Sequence, residues 1–370
     1  MSINDPALQS LVDRVNAARE AGAQLSIRGG GTKDFYGEPV QGEPLDVTGL
    51  SGISSYEPTE LVVTARCGTR LHELEATLGA RGQCLPFEPP HFGAREAEAQ
   101  RATVGGMVAA GLAGPSRAAV GSVRDHVLGA TMLNGRGEVL TFGGQVMKNV
   151  AGYDVPRVLA GSLGVLGVIL EVSLKVLPLA PATATLRFEM DETAALDTLN
   201  DWARQPLPLN ASAWWQGTLV IRLRGARAAV DAAITRLGGE LIEPAFASSF
   251  WQGLRNHTDE FFVGAHRALA SGAALWRVSV PPTAPPLALS GEQLIEWVGA
   301  QRWLCTTTSA VQVREVAARL GGHATLFAAT DKSAGVFAPL KSPLDRIHRE
   351  LKKAFDPAGV FNPGRLYPGL

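Results

Sequence analysis

Three consecutive glycines follow a short apolar run near the N-terminus, and polar residues come directly after them. The stretch reads Arg28-Gly29-Gly30-Gly31-Thr32-Lys33. Successive glycine N–H groups at a strand end can form a concave nest for a diphosphate, which the Thr32 hydroxyl and the Lys33 charge would help to bind. A glycine-rich hairpin turn is the alternative interpretation.

A second glycine pair follows Thr103. Gly105 and Gly106 precede a run of small residues, Met107–Gly111, that predicts a short helix. Backbone amides at the start of a helix carry a partial positive charge, so they could meet the same phosphates as the first glycine run. We therefore expect Thr103, Gly105, Gly106 and Gly111 to belong to one phosphate site.

Two further groups of polar residues could take part in chemistry. The first is Gly121-Ser122-Val123-Arg124-Asp125, in which the two charged side chains could equally form a local ion pair that holds their loop. The second group suits either a structural or a functional role. It consists of Lys148, Asn149, Tyr153 and Asp154.

The motifs of several common enzyme classes are absent from the sequence. Asp34 stands where the third glycine of a GxGxxG fingerprint would fall, and no GxxxxGK[ST], HExxH or GxSxG pattern occurs. The histidines show no close metal-ligand spacing. Hydrolase, kinase and zinc-enzyme functions therefore lack support, and we expect no metal site.

Length and composition limit the kinds of molecule that must position these residues. A chain of 370 residues is too long for one compact core and predicts two domains. The formal net charge of −1 argues against a nucleic-acid partner. Cys67, Cys84 and Cys305 form no CxxC pair, which argues against a disulfide framework and fits a reducing compartment.

The periodicity of apolar residues predicts an α+β protein. The N-terminal residues predict a helix rather than a signal peptide, with Asp5 as its cap and Gly22 as its end. The longest apolar region, residues 163–180, alternates as a strand does and contains charges, so we expect no membrane span. A proline-rich break at residues 280–289 predicts a boundary between two similar α+β units.

Taken in order, the segments between residues 20 and 178 resemble the FAD-binding domain of the vanillyl-alcohol oxidase type, also called the PCMH type. The matching segments include RGGGTK, LDVTGLSGISSYEP, TVGGMVAAGLAG, GSVRDHVLGATMLNGRGEVLTFGG and GSLGVLGVILEVSLKVLP, and FNPGR near the C-terminus matches the closing motif of the family. Many 2-hydroxyacid dehydrogenases belong to this family. Within it, the chain most resembles the FAD-binding E subunits of bacterial glycolate oxidases.

The resemblance implies a fold and a set of domains. The expected fold class is α+β, with a two-subdomain PCMH-type FAD-binding domain followed by a smaller α+β cap domain. The expected boundaries are 1–180 for the FAD-binding domain, 181–340 for the cap domain, and 341–370 for a C-terminal helix and tail that return to the FAD-binding domain.

The resemblance also implies cofactor-binding residues. Besides the two glycine segments, the stretch from Gly121 to Asp125 would lie close to the flavin. The turn from Gly161 to Ile169 would contact the flavin or adenine edge through its backbone. The residues implied in this way are Gly121, Ser122, Arg124, Asp125, Gly164, Gly167, Val168, Ile169 and Asn362.

Two departures from the family pattern affect the expected chemistry. Relatives with covalently attached FAD carry a histidine where this chain has Thr32, so we expect noncovalent FAD. The substrate-oxidising subunits of the family carry an HxGDGNxH-like signature, whereas this chain has GGHATLF with the single His323. His323 and Tyr153 remain candidates for catalysis, with a structural role as the alternative for each.

Three functions follow from this pattern. In the first, the chain is the FAD-binding subunit of a complex that oxidises glycolate to glyoxylate, with a second FAD-containing subunit and an iron–sulfur subunit as partners. In the second, it is a self-sufficient FAD-dependent dehydrogenase of a 2-hydroxyacid, sugar or lactone; in the third, its flavin is structural and the chain is a scaffold. The expected location is the cytoplasm, either free or held through the complex at the inner face of the membrane.

Overall fold

A computed structural model describes residues 5–93, 96–144 and 153–370. The strands are β1 Leu25–Arg28, β2 Glu43–Asp46, β3 Ile53–Glu57, β4 Val62–Arg66, β5 Gln83–Cys84, β6 Val127–Leu133, β7 Val139–Gly143, β8 Val168–Lys175, β9 Leu177–Pro178, β10 Ala182–Glu189, β11 Leu209–Trp215, β12 Thr218–Gly225, β13 Glu240–Leu241, β14 Ala274–Ser279, β15 Glu292–Glu296, β16 Gln301–Thr306 and β17 His323–Ala328.

The α-helices lie between these strands along the chain, singly or in runs. They are α1 Pro6–Ala21, α2 Leu71–Gly79, α3 Glu96–Ala99, α4 Val104–Ala110, α5 Arg117–Val120, α6 Val123–His126, α7 Val155–Leu159, α8 Glu192–Ala203, α9 Arg227–Leu237, α10 Pro244–Asn256, α11 Glu260–Leu269, α12 Ala310–Arg319 and α13 Leu344–Phe355. Among the described residues, none of these helices is long and apolar enough to cross a membrane.

The chain divides into two compact units. The first contains the chain up to Leu112, Ser122–Pro178 and Pro339–Leu370, and the second contains Ala113–Gly121 and Leu179–Ala338. The C-terminal helix and tail thus belong to the same unit as the N-terminal glycine run. Ala113–Gly121 group with the second unit, although they lie inside the range that we expected for the FAD-binding domain.

The described residues of the first unit form two small sheets and one of five strands. β1 and β2 form a parallel pair, and the five-stranded antiparallel sheet has the order β3-β4-β8-β6-β7. The predicted N-terminal helix is confirmed: Asp5 caps α1 by accepting from the Ala7 amide, and Gly22 ends it at φ 64°. Its apolar face packs into a core that includes the buried side chains of Leu11, Leu45 and Phe361, as expected for an amphipathic helix.

The second unit contains one eight-stranded antiparallel sheet with the order β13-β10-β12-β11-β15-β16-β14-β17. The proline-rich break at 280–289 does not separate two units, because β14 before it pairs with β16 after it. The strands on either side of the proline-rich segment therefore belong to one sheet. The sequence prediction of a boundary there is wrong.

Candidate functional site

A cavity of about 390 Å³ lies in the first unit, beside the chain that follows β1. This volume is in the range of small-molecule sites, about 300–1,000 Å³. We call it the loop cavity, because the glycine run forms one of its walls. The predicted site residues that line it are Arg28, Gly29, Gly30, Gly31, Thr32, Lys33, Thr103, Gly106 and Asn362.

The glycine run presents a row of hydrogen-bond donors to this cavity. Within the part of the chain that the structure describes, the amides of Gly29, Gly30, Gly31 and Thr32 make no hydrogen bond. Gly31 has φ +75°, a left-handed conformation that turns the backbone after the strand. Unpaired amides at the surface of a cavity favour an anion with several acceptor oxygens.

The first two glycines are needed by the packing of the protein itself. A Cβ on Gly29 would lie 2.5 Å from Oγ1 of Thr103, and a Cβ on Gly30 would lie 1.5 Å from the carbonyl oxygen of Arg101. We expected these glycines to be required by a bound diphosphate. The structure gives a nearer cause, which is the close approach of the loop to residues 101–103.

The second glycine pair lies inside α4 rather than before it. Thr103 caps the helix, and its Oγ1 accepts from the Gly106 amide at 3.3 Å, so that the helix begins at Val104 and not at Met107 as predicted. The Gly105 amide donates to the carbonyl of Cys67 at 2.8 Å, and a Cβ there would lie 2.6 Å from the Cys67 Cβ. Gly105 therefore serves packing and lies outside the loop cavity, although we predicted it as a binding residue.

Gly106 is the residue of this pair that faces the loop cavity. A Cβ placed on it would meet one atom within 4 Å, the Thr103 Oγ1 at 3.2 Å. An added methyl group would thus require the Thr103 hydroxyl to shift by a few tenths of an ångström, a far smaller conflict than the one at Gly30. A substitution at Gly106 is therefore the most informative test of whether a ligand lies against α4.

Positive charge dominates the side chains of the loop cavity. Arg28 pairs with Asp34 at 2.6 Å, and both side chains are about half exposed. Such an exposed pair contributes only about 0–1 kcal/mol, so an incoming anion can compete for Arg28. Lys33 lies 5.5 Å from the centre of the Phe92 ring, and Arg365 adds a third cation to the lining.

The C-terminal tail holds the glycine loop in place. Arg365 is buried and donates to the carbonyl oxygens of Lys33, Asp34 and Glu38. Burial lowers the pKa of Arg365, while the nearby carboxylates of Asp34 and Glu38 act in the opposite direction. Sequence reasoning missed Arg365, although it ends the FNPGR segment that carried part of the resemblance.

Asn362 joins two walls of the loop cavity. Its Oδ1 accepts from the Ile27 amide at 2.7 Å, and its Nδ2 donates to the Leu163 carbonyl at 2.6 Å. We predicted Asn362 as a cofactor contact. In the structure, the oxygen and the nitrogen of its side-chain amide both form hydrogen bonds within the protein. Asn362 nevertheless lines the cavity.

The glycines of the Gly161–Ile169 turn also meet protein atoms. A Cβ on Gly164 would lie 2.6 Å from the Asn362 Nδ2, and one on Gly167 would lie 2.5 Å from the Leu133 carbonyl oxygen. Leu163 reaches the cavity from this turn. The predicted residues that do not line the loop cavity are Gly105, Gly111, Gly121, Ser122, Arg124, Asp125, Gly164, Gly167, Val168 and Ile169.

The Ser122–Asp125 segment forms a closed local arrangement. The backbone N–H and the hydroxyl of Ser122 donate to the Asp125 carboxylate at 2.8 and 2.9 Å. Burial by itself would raise the pKa of Asp125, but these hydrogen bonds and the Arg124 charge together lower it. Arg124 lines a separate cavity of about 320 Å³.

Neither candidate for catalysis lines the loop cavity. Tyr153 is 91% exposed, and His323 begins β17 in the second unit. Desolvation and then the Arg277 charge lower the pKa of His323. Lys148 and Asn149 lie outside the described residues, and within those residues no three His, Cys, Asp or Glu side chains cluster as metal ligands would.

Comparison with known proteins identifies the family. The sequence profile described as "FAD binding domain" matches residues 8–143, which include the glycine loop and α4. The glycolate oxidase subunit GlcE of Escherichia coli K12 is 48% identical over 362 residues, covering 98% of each chain. The chain belongs to the GlcE family of FAD-binding proteins. It therefore binds FAD and is a member of the FAD-dependent oxidoreductases.

More distant relatives share parts of the chain. A D-lactate dehydrogenase of Archaeoglobus fulgidus is 30% identical over 52% of this chain and 42% of its own length. A solved structure of alkyldihydroxyacetonephosphate synthase matches 96% of this chain and 74% of its own with a TM-score of 0.62 at 15% identity, a likeness that concerns the fold alone. The predicted α+β PCMH-type FAD-binding fold is confirmed.

Proposed function

We propose that the loop cavity holds the diphosphate of FAD, bound noncovalently. The observation that carries this proposal is the row of unpaired amides from Gly29 to Thr32, which faces a cavity with Arg28, Lys33 and Arg365. Diphosphate oxygens accept from such donors and are attracted by such charges. Thr32 offers no imidazole for covalent attachment at this place.

The residues of this chain divide into two roles around the cofactor. The amides of the glycine loop and the face of α4 at Gly106 would contact FAD, whereas Asn362 and Arg365 would hold those contacts in position. FAD supplies the redox chemistry, because a flavin accepts two electrons and can release them singly. The protein supplies binding and orientation.

We infer that the chain is the FAD-binding subunit of a complex that oxidises glycolate. Its 48% identity to GlcE extends over 98% of both chains, which supports a common role. Glycolate becomes glyoxylate by losing the hydroxyl proton and a hydride, and these two electrons would leave through a partner iron–sulfur subunit. A second FAD-containing subunit would provide the substrate site, and the complex would work in the cytoplasm or at the inner face of the membrane.

Purification of the chain together with the products of its chromosomal neighbours tests this proposal. The complex should convert glycolate to glyoxylate with an artificial electron acceptor, and Gly106→Val in this chain should lower that rate. Gly49→Ala is a matched control, because a Cβ there meets nothing within 4 Å. A complex that ignores glycolate, or that works equally well without this chain, would contradict the proposed role.

A further inference from the structure

A buried ion pair closes the end of α13. Lys352 Nζ lies 2.6 Å from Oδ2 of Asp356, and the two residues are 9% and 1% exposed. Neither residue lines the loop cavity. A surface pair at this spacing adds little to a helix, but a buried pair must satisfy all its donors and acceptors.

The Lys352 ammonium uses its three donors on three different segments. Besides Asp356, it donates to the carbonyl oxygens of Val165 and Phe361, both at 2.8 Å. An ammonium has three N–H donors, so its capacity is filled. Lys352 thereby ties the turn after Gly161 to the C-terminal tail.

The Asp356 carboxylate fixes the tail from the other side. Its Oδ1 accepts from the Val360 amide at 3.0 Å, and its Oδ2 accepts from the Phe361 amide at 2.8 Å. Gly135 permits this placement, since a Cβ on it would lie 2.1 Å from the Asp356 Oδ1. The backbone is therefore set immediately before Asn362.

The residues that Lys352 and Asp356 contact lie close in the chain to residues that line the loop cavity. Phe361 precedes Asn362, which bonds the Ile27 amide and the Leu163 carbonyl. Val165 lies two residues beyond Leu163. We propose that Lys352 and Asp356 are positioning residues for FAD, which preassemble the cavity by locking the tail against the Ile27 strand and the Leu163 turn.

This inference rests on the proposed placement of FAD at the loop cavity. A positioning role and a purely structural role of the ion pair predict different effects on the affinity of the apoprotein for FAD. If the pair only stabilised α13, its loss would lower the melting temperature and leave the dissociation constant of FAD unchanged. If it preassembles the cavity, the affinity for FAD falls even where the fold persists.

The test uses the double variant Lys352→Met/Asp356→Asn in the full chain. Both replacements are close in shape to the native side chains, and no unpaired buried charge remains. We expect a folded apoprotein by circular dichroism and tryptophan fluorescence, with the Kd for FAD raised roughly ten- to a hundredfold, by analogy with the loss of metal affinity when residues that orient metal ligands are changed. Hydrogen exchange should also become faster at the Ile27 amide.

Arg349→Met provides the matched control. It removes an exposed ion pair with Asp345 on the same helix, at an N–O distance of 3.1 Å, and should leave the Kd unchanged. A double variant that binds FAD within twofold of the native chain overturns the proposal. If the double variant does not fold, Lys352→Gln/Asp356→Asn, which also leaves no buried charge but retains a donor at residue 352, decides the question by the same criterion.

The placement of FAD and the positioning role can fail separately. Native FAD affinity in Gly106→Val would contradict the placement of the cofactor at α4. Loss of affinity in Gly106→Val but not in the Lys352 and Asp356 variants would leave the placement standing and refute the positioning role.

Discussion

Glycine is required for different physical reasons at different positions around the loop cavity. These reasons decide which substitution can reveal where the ligand binds. A side chain on Gly30 would collide with the Arg101 carbonyl whether or not FAD is present. Loss of FAD in a Gly30→Val variant would therefore not locate the ligand. Gly106 is more informative, because it lines the cavity and its added Cβ would meet one protein atom, the Thr103 Oγ1 at 3.2 Å.

The first prediction follows from that difference. Gly106→Ala should change the stability of the apoprotein by no more than about 1 kcal/mol, since the gain in helix propensity over glycine is opposed by the 3.2 Å contact of the new Cβ with the Thr103 Oγ1. The same methyl group should weaken FAD binding about tenfold, or 1.4 kcal/mol, by occupying ligand space. Thermal unfolding and fluorescence titration with FAD measure the two effects, with Gly49→Ala as the control. Unchanged affinity would place the ligand away from α4.

The second prediction concerns attachment. Thr32 provides no ring nitrogen that could bond to a flavin, so acid precipitation of the FAD-loaded protein should release all the flavin into the supernatant. An absorbance spectrum of both fractions checks this. Yellow colour that remains in the pellet would show a covalent bond.

For individual residues, the position of the glycine loop could be predicted from the sequence. The reason why the loop consists of glycines could not. The RGGGTK and TVGG segments are visible as glycine signals, and both reach the cavity. Their nearest neighbours come from distant parts of the chain, such as Arg365 on the Lys33 carbonyl. Contacts of this kind depend on the tertiary fold, so glycine spacing alone could not distinguish Gly105, which packs on Cys67, from Gly106.

For secondary-structure elements, too, features that depend on neighbouring residues could be predicted from the sequence, whereas features that depend on the tertiary fold could not. The ends of α1 were predictable, because Asp5 and Gly22 act on neighbouring backbone groups. The pairing of β14 with β16 was not, since it joins strands across a proline-rich segment. In the second unit, a similar long-range arrangement packs the His257 ring against rings of α11, β16 and β17.

That arrangement predicts a pH dependence of the second unit. The His257 ring stacks on Phe262 with 3.7 Å between centroids. Burial, followed by the charges of His266 and Arg277, keeps the pKa of His257 well below 6.5. Between that lowered pKa and 6.5 the unfolded chain binds a proton that the folded chain does not, so stability falls as pH decreases below 6.5, by about 1.4 kcal/mol per unit for one proton.

Tryptophan fluorescence can follow this effect in the second unit alone. All 7 tryptophans lie between Trp202 and Trp303, inside that unit. Urea unfolding at pH 7.5, 6.5 and 5.5 should show the slope, and His257→Phe should reduce it. A smaller slope should persist in the variant, because the pKa of His323 is also lowered. Equal slopes in both proteins would contradict the assignment to His257.

For the whole molecule, the family resemblance in the sequence predicted more than the spacing of individual residues could. The α+β PCMH-type fold and FAD were both expected from the order of segments such as RGGGTK and GSLGVLG, and both are confirmed. A catalytic centre was not predictable in the same way. His323 and Tyr153 were singled out by residue type, and neither lines the loop cavity.

This chain binds FAD, and we propose that it depends on its partners to oxidise glycolate. Removal of a hydride from a 2-hydroxyacid needs a base for the hydroxyl proton and a cation for the carboxylate. The substrate-oxidising subunits of the family carry an HxGDGNxH-like signature that could supply such groups, whereas this chain has GGHATLF with the single His323. We therefore expect the substrate to be bound and deprotonated on a partner subunit.

The most direct measurement is anaerobic mixing of the isolated, FAD-loaded chain with glycolate, followed by its visible spectrum. The flavin band should persist for many turnover times of the assembled complex, and it should bleach when the partner subunits are added. Rapid bleaching of the isolated chain, abolished by His323→Ala, would show a complete dehydrogenase and contradict the subunit role.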